Sequence, residues 1–297
     1  MVGLELEDGR AIAVRIDERG DVQARAVVAA DGGDLATAAA RALTTVAVSG
    51  TDERVVGIAA AIPDSPAIAA VVAGLALRYG GAFVQHGATP SGTAAAVAES
   101  WIGAAPAVQD LVYFACGDHT IAGIIRGGAP MTGVRGRAAT VAWMALNPVE
   151  REDYRKIGCL EAEVAAAGIV RRLIWRIKSG DRSRVYDAVN GDFAAITARQ
   201  ILDAARENDG VSISVVRDTA KYVGMAAANL VIVADPDTIV LGGIMASAAD
   251  LLLEPIRAEI GRRLPADILL ATTIAPAAFG PEGPALGATR LISAALR

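Results

Sequence analysis

The sequence is poor in the residues that build disulfide-rich, zinc-rich or nucleic-acid-binding proteins. Its 297 residues include two cysteines, two histidines and three lysines. Cys116 and Cys159 are too few for a disulfide framework or a zinc cluster. The net charge is −5, and no basic run offers a partner for a phosphate backbone. We therefore expect a reduced compartment, no metal site and no direct nucleic-acid binding.

Long apolar runs and targeting segments are also missing. No uncharged apolar stretch reaches the roughly 18 residues that a membrane-spanning helix needs. The first residues, Met1–Glu5, show neither the basic region nor the apolar core of a signal peptide. These absences predict a cytoplasmic protein with no membrane partner. Only three of the 28 basic residues are lysine, which indicates the codon bias of a GC-rich bacterium.

Aromatic residues are scarce, at 4%, whereas hydrophobic residues make up 53% of the chain. The core must therefore consist mainly of Ala, Val, Leu and Ile, which suits helices packed on buried sheets. A chain of this length can form two packed domains with a large core.

Hydrophobic periodicity predicts an α/β chain in which one arrangement occurs twice. A strand meander followed by helices begins near residue 2 and again near residue 110. Strands are predicted over Val2–Leu6, Ala11–Asp17, Val22–Val28, Arg54–Ala61, Phe83–His86, Asp110–Cys116, Ile121–Arg126, Thr238–Leu241 and Ile268–Ile274. Helices are predicted over Leu35–Val48, Ala67–Tyr79, Thr93–Ile102, most of Leu160–Val231, Ala246–Arg263 and Pro284–Leu296. Such a duplication predicts two similar lobes that hold ligands in a cleft between them.

Four stretches carry a family resemblance. Leu111–Gly128, followed by Gly133–Met144, is similar to a phosphate hairpin and a sugar loop. Gly158–Glu161 is similar to the motif G-C-x-E, and Asp235–Gly243 resembles N-P-x-x-I-V-L-G-G-G. The tail at Gly283–Ala288 also fits. With these motifs in order, the chain resembles the ROK family of repressors and sugar kinases.

The resemblance implies a two-lobed actin-like ATPase (ribonuclease H-like) α/β fold. We expect a smaller first domain over residues 1–108, completed by the helix at 284–297, and a larger second domain over residues 109–283. The family's habit of dimerising implies a homodimer. Its repressors carry a helix-turn-helix ahead of this fold, and the present sequence starts directly at the first strand.

This sequence lacks the aspartate that serves as the catalytic base in the sugar kinases of the family. The family carries N-D-A-N-A-A-A, in which the Asp is the base, and Pro90–Ala96 places Ser91 at that position. A serine hydroxyl has little basicity, and general-base help is typically worth ~10²–10⁴ in rate. We therefore interpret Ser91 as a helix cap and expect no catalytic residue.

Both phosphate loops are altered. Where the family has D-x-G-G-T, this chain has Glu5–Gly9, which adds the charges of Glu7 and Asp8. Where the family has G-T-G-I-G-G-G, only two glycines remain and Asp118 adds a carboxylate. His119 is either a ligand contact or a solvated turn residue, and turn statistics favour the second.

Four glycines are candidates for the nucleotide side of the site: Gly117, Gly123, Gly242 and Gly243. The last two either contact a nucleotide or form the tight turn that the fold needs, and we favour the turn. Ile244 stands where the family has a third glycine, so it could block an adenosine.

The sugar loop G-E-I-G-H is also changed, because Thr140 replaces its acid and Trp143 its histidine. Trp143 either stacks on a sugar or fills the core, whereas Glu161 is retained. The family's cysteine-rich zinc motif is reduced to Cys159, so no zinc is expected. The candidates for contacts to a small, sugar-like ligand are Ser91, His119, Thr140, Trp143 and Glu161.

Three functions fit this pattern. The first is a pseudokinase without cofactor that binds a small ligand or regulates a partner. The second is an active sugar kinase that uses ATP and Mg²⁺ and takes a displaced base or metal ligand from Glu5, Glu7, Asp8, Asp64 or Asp118. The third is the effector and dimerisation half of a transcriptional regulator.

Overall fold

The computed structural model describes residues 1–17, 19–47, 56–80 and 87–295. The chain divides into two compact units. The first comprises Met1–Tyr113, Ala122–Ala139 and Ala277–Arg297, and the second comprises Phe114–Ile121 and Thr140–Pro276. The predicted α/β class is confirmed, since two five-stranded sheets and their helices make up the fold. The domain boundaries after residues 108 and 283 stay predictions.

The first sheet forms the core of the first unit. Its order is β3-β2-β1-β4-β5, with the strands Val2–Glu7 (β1), Arg10–Ile16 (β2), Val22–Ala29 (β3), Val56–Ala60 (β4) and Thr89–Pro90 (β5). The first three strands form the predicted antiparallel meander, and β4 runs parallel to β1. Leu4 lies between Ala13 and Ile58 in the ladder, and all three are fully buried.

Four helices cover this sheet: Leu35–Val46 (α1), Pro66–Tyr79 (α2), Ser91–Ile102 (α3) and Gly283–Ala295 (α13). The first begins at Asp34, whose carboxylate accepts a hydrogen bond from Thr37 N. The second begins at Ser65, whose hydroxyl accepts from Ile68 N, with Pro66 in the first turn. Such caps satisfy backbone donors that a helix start leaves open.

The second sheet has the order β10-β9-β6-β7-β8. Its strands are Leu111–Cys116 (β6), Thr120–Arg126 (β7), Ala129–Pro130 (β8), Thr238–Gly243 (β9) and Thr273–Pro276 (β10). The strand β6 is buried along its whole length, and β10 runs parallel to β9. The strands β6 and β7 contribute residues to both units.

The remaining helices belong to the second unit. They are Glu152–Ile157 (α4), Cys159–Val164 (α5), Ala166–Lys178 (α6), Arg184–Ala188 (α7), Ala198–Arg206 (α8), Gly210–Ala234 (α9), Ile244–Ser247 (α10), Ala249–Gly261 (α11) and Ala266–Ala271 (α12). The long helix α9 is capped by Asp209, which accepts hydrogen bonds from Ser212 N, Ser212 Oγ and Ser183 Oγ. Burial raises the pKa of Asp209, but these bonds outweigh it and leave the pKa below its ordinary value.

Glycines allow the backbone at the start of α3 to lie directly against the backbone of β7. A Cβ on Gly92 would lie 2.1 Å from Ala122 O, and one on Gly123 would lie 2.1 Å from Gly92 O. On the C-terminal helix, a Cβ on Gly287 would lie 1.7 Å from Ala94 O. No side chain fits at these distances, so backbone packing fixes where α3 begins.

Two predicted elements need correction, and a third lies outside the residues that the structure describes. The strand over Ile268–Ile274 is wrong, because α12 occupies its first part and β10 begins only at Thr273. A short apolar run does not distinguish strand from helix by periodicity. The single helix over Ala246–Arg263 is interrupted at Ala248, and the predicted strand Phe83–His86 lies outside the described residues.

No helix in the described part of the chain is long and apolar enough to cross a bilayer.

Candidate functional site

The first candidate position lies at the start of α3, in the first unit. Ser91 is the first residue of the helix, Pro90 is the N-cap, and no side chain caps the helix. Instead, Ser91 Oγ donates a hydrogen bond to Glu5 Oε1 over 2.6 Å. The interpretation of Ser91 as a helix cap is therefore wrong.

Glu5 brings its carboxylate to Ser91 from the middle of the first sheet. It pairs with Ile12 on one side and Ala59 on the other. Glu5 is 2% exposed and Ser91 is 1% exposed. The hydroxyl of Ser91 donates this hydrogen bond, and the carboxyl oxygen of Glu5 accepts it. The sequence carried a signal for this pair: Glu5 is the single acid in the otherwise apolar stretch Val2–Leu6.

The turn that follows Glu5 is a short polar hairpin. Glu7 forms an ion pair with Arg10, its partner across the β1–β2 ladder. Asp8 and Gly9 make the exposed two-residue turn between them. Nothing lies within 4 Å of the position where a Gly9 side chain would begin.

The second candidate position lies in the second unit, at the turn between β6 and β7. His119 Nδ1 lies 3.2 Å from Glu161 Oε1, and Thr120 N donates to Glu161 Oε2 over 2.8 Å. The side chains of His119 and Glu161 are 19% and 13% exposed. The expectation of a solvated turn histidine is therefore wrong, because half-buried His119 is held against a carboxylate from α5.

Backbone bonds hold this turn in place. Gly117 N donates to His119 O over 2.9 Å, and Ala166 N, at the start of α6, donates to Gly117 O over 2.8 Å. Burial raises the pKa of the neighbouring Cys116 thiol, and the negative charge of Glu161 raises it further. The thiol therefore stays protonated, and Cys116 offers neither a nucleophile nor a metal ligand.

Glu163 ties α5 to the rest of the second unit. Its carboxylate is buried and accepts hydrogen bonds from Tyr154 Oη at 2.5 Å, Arg151 Nη1 at 2.8 Å and Arg172 Nη2 at 2.8 Å. Glu163 lies two residues after Glu161, so these contacts fix the short helix that presents Glu161.

The altered sugar loop packs on the same helix. A 3-10 turn at Val141–Trp143 contacts α5, and a Cβ on Gly158 would lie 2.3 Å from Ala142 O. Gly158 has φ +103°, a conformation that side chains disfavour. Trp143 is 53% exposed, so it is not a core residue. Thr140, just before the turn, is also exposed.

The candidate glycines of the nucleotide side have packing roles. Gly123 presses on the backbone of Gly92, and Gly243, with φ +63°, would place a Cβ 2.0 Å from Cys116 O. Gly242 is buried within β9, and Ile244 packs against the apolar cluster of α6, α8 and α9. Among the described residues, no three His, Cys, Asp or Glu side chains are grouped so as to hold a metal ion.

Two α/β units built from strand meanders and covering helices form the fold of ROK sugar kinases. A ROK glucokinase from Streptomyces griseus, solved with glucose and AMPPNP, superimposes with a TM-score of 0.81 at 23% identity over 98% of both chains. The model of the ROK family matches residues 89–295. The chain belongs to the ROK family.

The curated relatives include both kinases and repressors. The chain is 32% identical over 166 residues to the glucokinase of Halalkalibacterium halodurans. This alignment covers 55% of this chain and 50% of the glucokinase. It is also 31% identical over 176 residues to the xylose repressor of Caldicellulosiruptor bescii. That alignment covers 57% of this chain and 42% of the repressor. The matches thus span half or less of the length of these two relatives.

Proposed function

We propose that this ROK-family chain binds a small sugar-like ligand and does not transfer phosphoryl groups. The observation that carries the proposal is the buried pair of Ser91 and Glu5. Ser91 stands at the family's base position, and its only proton is committed to the Glu5 carboxylate. Neither group reaches solvent, whereas a general base must lie within hydrogen-bond reach of the hydroxyl that it deprotonates.

The two turns that would receive a nucleotide do not fit its phosphates. Asp8 and Asp118 are both exposed at the turns, with Glu7 beside the first. Two unit charges of like sign at 4 Å repel by ~1 kcal/mol in water, so each exposed carboxylate disfavours a phosphate beside it. The remaining glycines Gly123 and Gly243 serve backbone packing, which explains their presence without a nucleotide.

The second unit supports ligand binding without catalysis. Glu161 and His119 offer hydrogen-bonding groups that are partly accessible, and the exposed Trp143 offers an apolar face on the neighbouring turn. A carboxylate, an imidazole and an exposed aromatic ring are groups that suit a polyhydroxylated ligand. The relatives named as glucokinase and xylose repressor point to the same class.

Calorimetric titration tests this function directly. We expect saturable heat with D-glucose or D-xylose and no heat with millimolar Mg-ATP. Trp143→Ala is the matched variant, since Trp143 is exposed and its loss leaves the core intact, and it should weaken sugar binding. Saturable binding of Mg-ATP, or no binding of either sugar by a folded protein, would overturn the proposal.

An active kinase is the second candidate, and one observation favours it. The Glu5 carboxylate lies 2.6 Å from Ser91 Oγ, so a carboxylate from β1 does reach the family's base position. A coupled assay of ADP release with each sugar decides between the two functions. Turnover that Glu5→Gln abolishes would support the kinase, whereas no turnover supports the ligand-binding protein.

We also propose that the chain forms a homodimer, as its family membership suggests. The repressor among its relatives supports a role as the effector part of a regulator. Light scattering of the purified protein tests the dimer, and a mass of one chain of 30.3 kDa would contradict it.

A further inference from the structure

We infer that hydrogen bonds and ion pairs around Glu163 hold the short helix α5 in place of the zinc ion that the family pattern implies. The resemblance implies this metal through a cysteine-rich motif, of which Cys159 remains. The inference is independent of the proposed ligand-binding function, because it concerns how α5 is held and not what binds beside it.

The residues near the start of α5 do not fit a structural zinc ion. Such an ion takes four ligands, mostly cysteine sulfur and histidine nitrogen, and Cys159, the first residue of α5, brings one sulfur. Trp143 stands where the family has a histidine, and an indole N–H only donates hydrogen bonds. In the described ranges, no three side chains of the His, Cys, Asp or Glu type come together as ligands. Another device must therefore hold this helix.

The helix α5 needs support from outside itself. It has six residues, and no side chain in the described part of the chain caps its first turn. The preceding helix α4 also has six residues and receives no such cap from the described residues. Isolated helices shorter than ~12–15 residues are marginal in water, because few hydrogen bonds offset the cost of nucleation. Contacts with the rest of the second unit must supply the stability of both helices.

The carboxylate of Glu163 joins α5 to the segments before and after it. Its Oε1 accepts hydrogen bonds from Tyr154 Oη of α4 at 2.5 Å and from Arg151 Nη1 at 2.8 Å. Its Oε2 accepts from Arg172 Nη2 of α6 at 2.8 Å. Glu163 is 4% exposed, so water does not replace a donor that is lost. One buried side chain thus connects three helices.

Two arginines of α6 bind backbone carbonyls at the end of α5. Arg171 Nη2 donates to Ala162 O at 2.7 Å, and Arg172 Nη2 donates to Glu163 O at 2.9 Å. The last four carbonyls of a helix have no partner within it, and positive charge is favourable beside them. Arg172 also donates to Thr219 Oγ1 of α9 at 2.9 Å. The two guanidinium groups therefore complete the end of α5 and attach it to α6 and α9.

The charges of this cluster disfavour a further cation. Arg171 also forms an ion pair with Asp153. The cluster thus sets three guanidinium groups against two carboxylates, those of Arg151, Arg171 and Arg172 against those of Asp153 and Glu163. The pKa of Arg171 lies below its ordinary value because of burial and the positive charges of Arg151 and Arg172. A divalent metal ion beside the cluster would meet the same repulsion.

Hydrogen exchange, followed by mass spectrometry on peptides that cover residues 150–170, tests the inference. Glu163→Gln keeps the shape of the side chain and removes its charge, so the guanidinium groups lose their buried partner. We expect the amides of α5 to exchange roughly 10- to 100-fold faster in this variant. Tyr154→Phe removes one donor and should accelerate exchange roughly 3- to 10-fold.

Glu152→Gln is the matched control, because it removes an exposed ion pair with Lys156 on the neighbouring helix α4. Its exchange should equal that of the wild type, and peptides of β1 should stay protected in every variant. Exchange of α5 in Glu163→Gln no faster than in Glu152→Gln overturns the inference. If Glu163→Gln does not fold, the same comparison is decided by Tyr154→Phe.

A metal ion is excluded or established by a second set of measurements on the wild type and Cys159→Ser. We expect no retained zinc after incubation with zinc sulfate and gel filtration, and no change in the exchange of α5 on addition of EDTA. Cys159→Ser should likewise exchange as the wild type does. Zinc retained at one ion per chain, together with faster exchange of α5 in EDTA, overturns the inference. Cys159→Ser that loosens α5 as much as Glu163→Gln does also contradicts it.

Discussion

Each unit contains a hydrogen-bonded pair of a glutamate and another polar residue, and the two pairs differ in how deeply they are buried. Glu5 with Ser91 and Glu161 with His119 both place a glutamate against a residue that differs from the family pattern. The first pair is sealed in the core of the first unit, whereas the second keeps part of both side chains at the surface. Under the proposed function, the same hydrogen-bond chemistry stabilises the fold at the first position and contributes to ligand binding at the second.

The energetic consequence follows from desolvation. A buried carboxylate that loses a donor retains its full cost of leaving water, about 1–3 kcal/mol or more for a charged group. A half-buried carboxylate can recover much of that loss from solvent. Substitutions at Ser91 should thus change stability, and substitutions at Glu161 should change binding.

The largest effect is expected where the family's base is restored. Ser91→Asp would place a second carboxylate beside Glu5 in a buried environment, because Ser91 Oγ lies 2.6 Å from Glu5 Oε1. We expect a loss of about 4 kcal/mol in the free energy of unfolding, from like charges at ~4 Å and an effective dielectric constant of 20. Urea unfolding at neutral pH measures the loss.

Removing the opposing charge is the control for this variant. Glu5→Gln combined with Ser91→Asp leaves one carboxylate and one amide that can hydrogen-bond, so most of the stability should return. If Ser91→Asp is no less stable than Ser91→Ala, charge repulsion is not the cause and the comparison between the two pairs fails.

Ser91→Ala is expected to lower the free energy of unfolding by less than Ser91→Asp does. The variant removes the donor to a buried carboxylate, a bond of the charged class worth about 1.5–3 kcal/mol. Ser179 gives the matched control, since its hydroxyl donates to Trp175 O at the exposed end of α6. Ser179→Ala should lower the unfolding free energy by about 0.5 kcal/mol at most. Equal losses in the two variants would show that burial of the pair is unimportant.

Much of the fold could be predicted from hydrophobic periodicity, because the hydrophobic residues that produce the periodic pattern are the ones that form the core. Leu4, Ile12 and Ile58 lie in strands that the sequence predicts, and all three are fully buried. The helix at α12 was missed because its short apolar run fits either period. The family motifs locate Ser91, His119 and Glu161 but do not show which residue each one contacts, since motif spacing carries no information about contacts across 86 or 42 residues.

The two wrong interpretations at the site share one physical cause. Local preferences favour a helix cap at Ser91 and a solvated turn residue at His119, because both residue types are common at such positions. In each case a distant glutamate determined the role instead. The single acid in an apolar strand was the only signal in the sequence, and it indicates a buried partner without naming it.

The smallest effect on stability is expected at the half-buried pair, and it completes the comparison. Glu161→Gln keeps an acceptor for Thr120 N and removes the charge beside His119. We expect a loss below about 1 kcal/mol in the free energy of unfolding, as for partly exposed polar pairs. Because the Glu161 side chain is partly exposed and is a candidate for sugar contact, the substitution should weaken sugar binding more than it lowers stability. A loss as large as that of Ser91→Ala would show that both pairs are structural and that partial exposure does not mark the site.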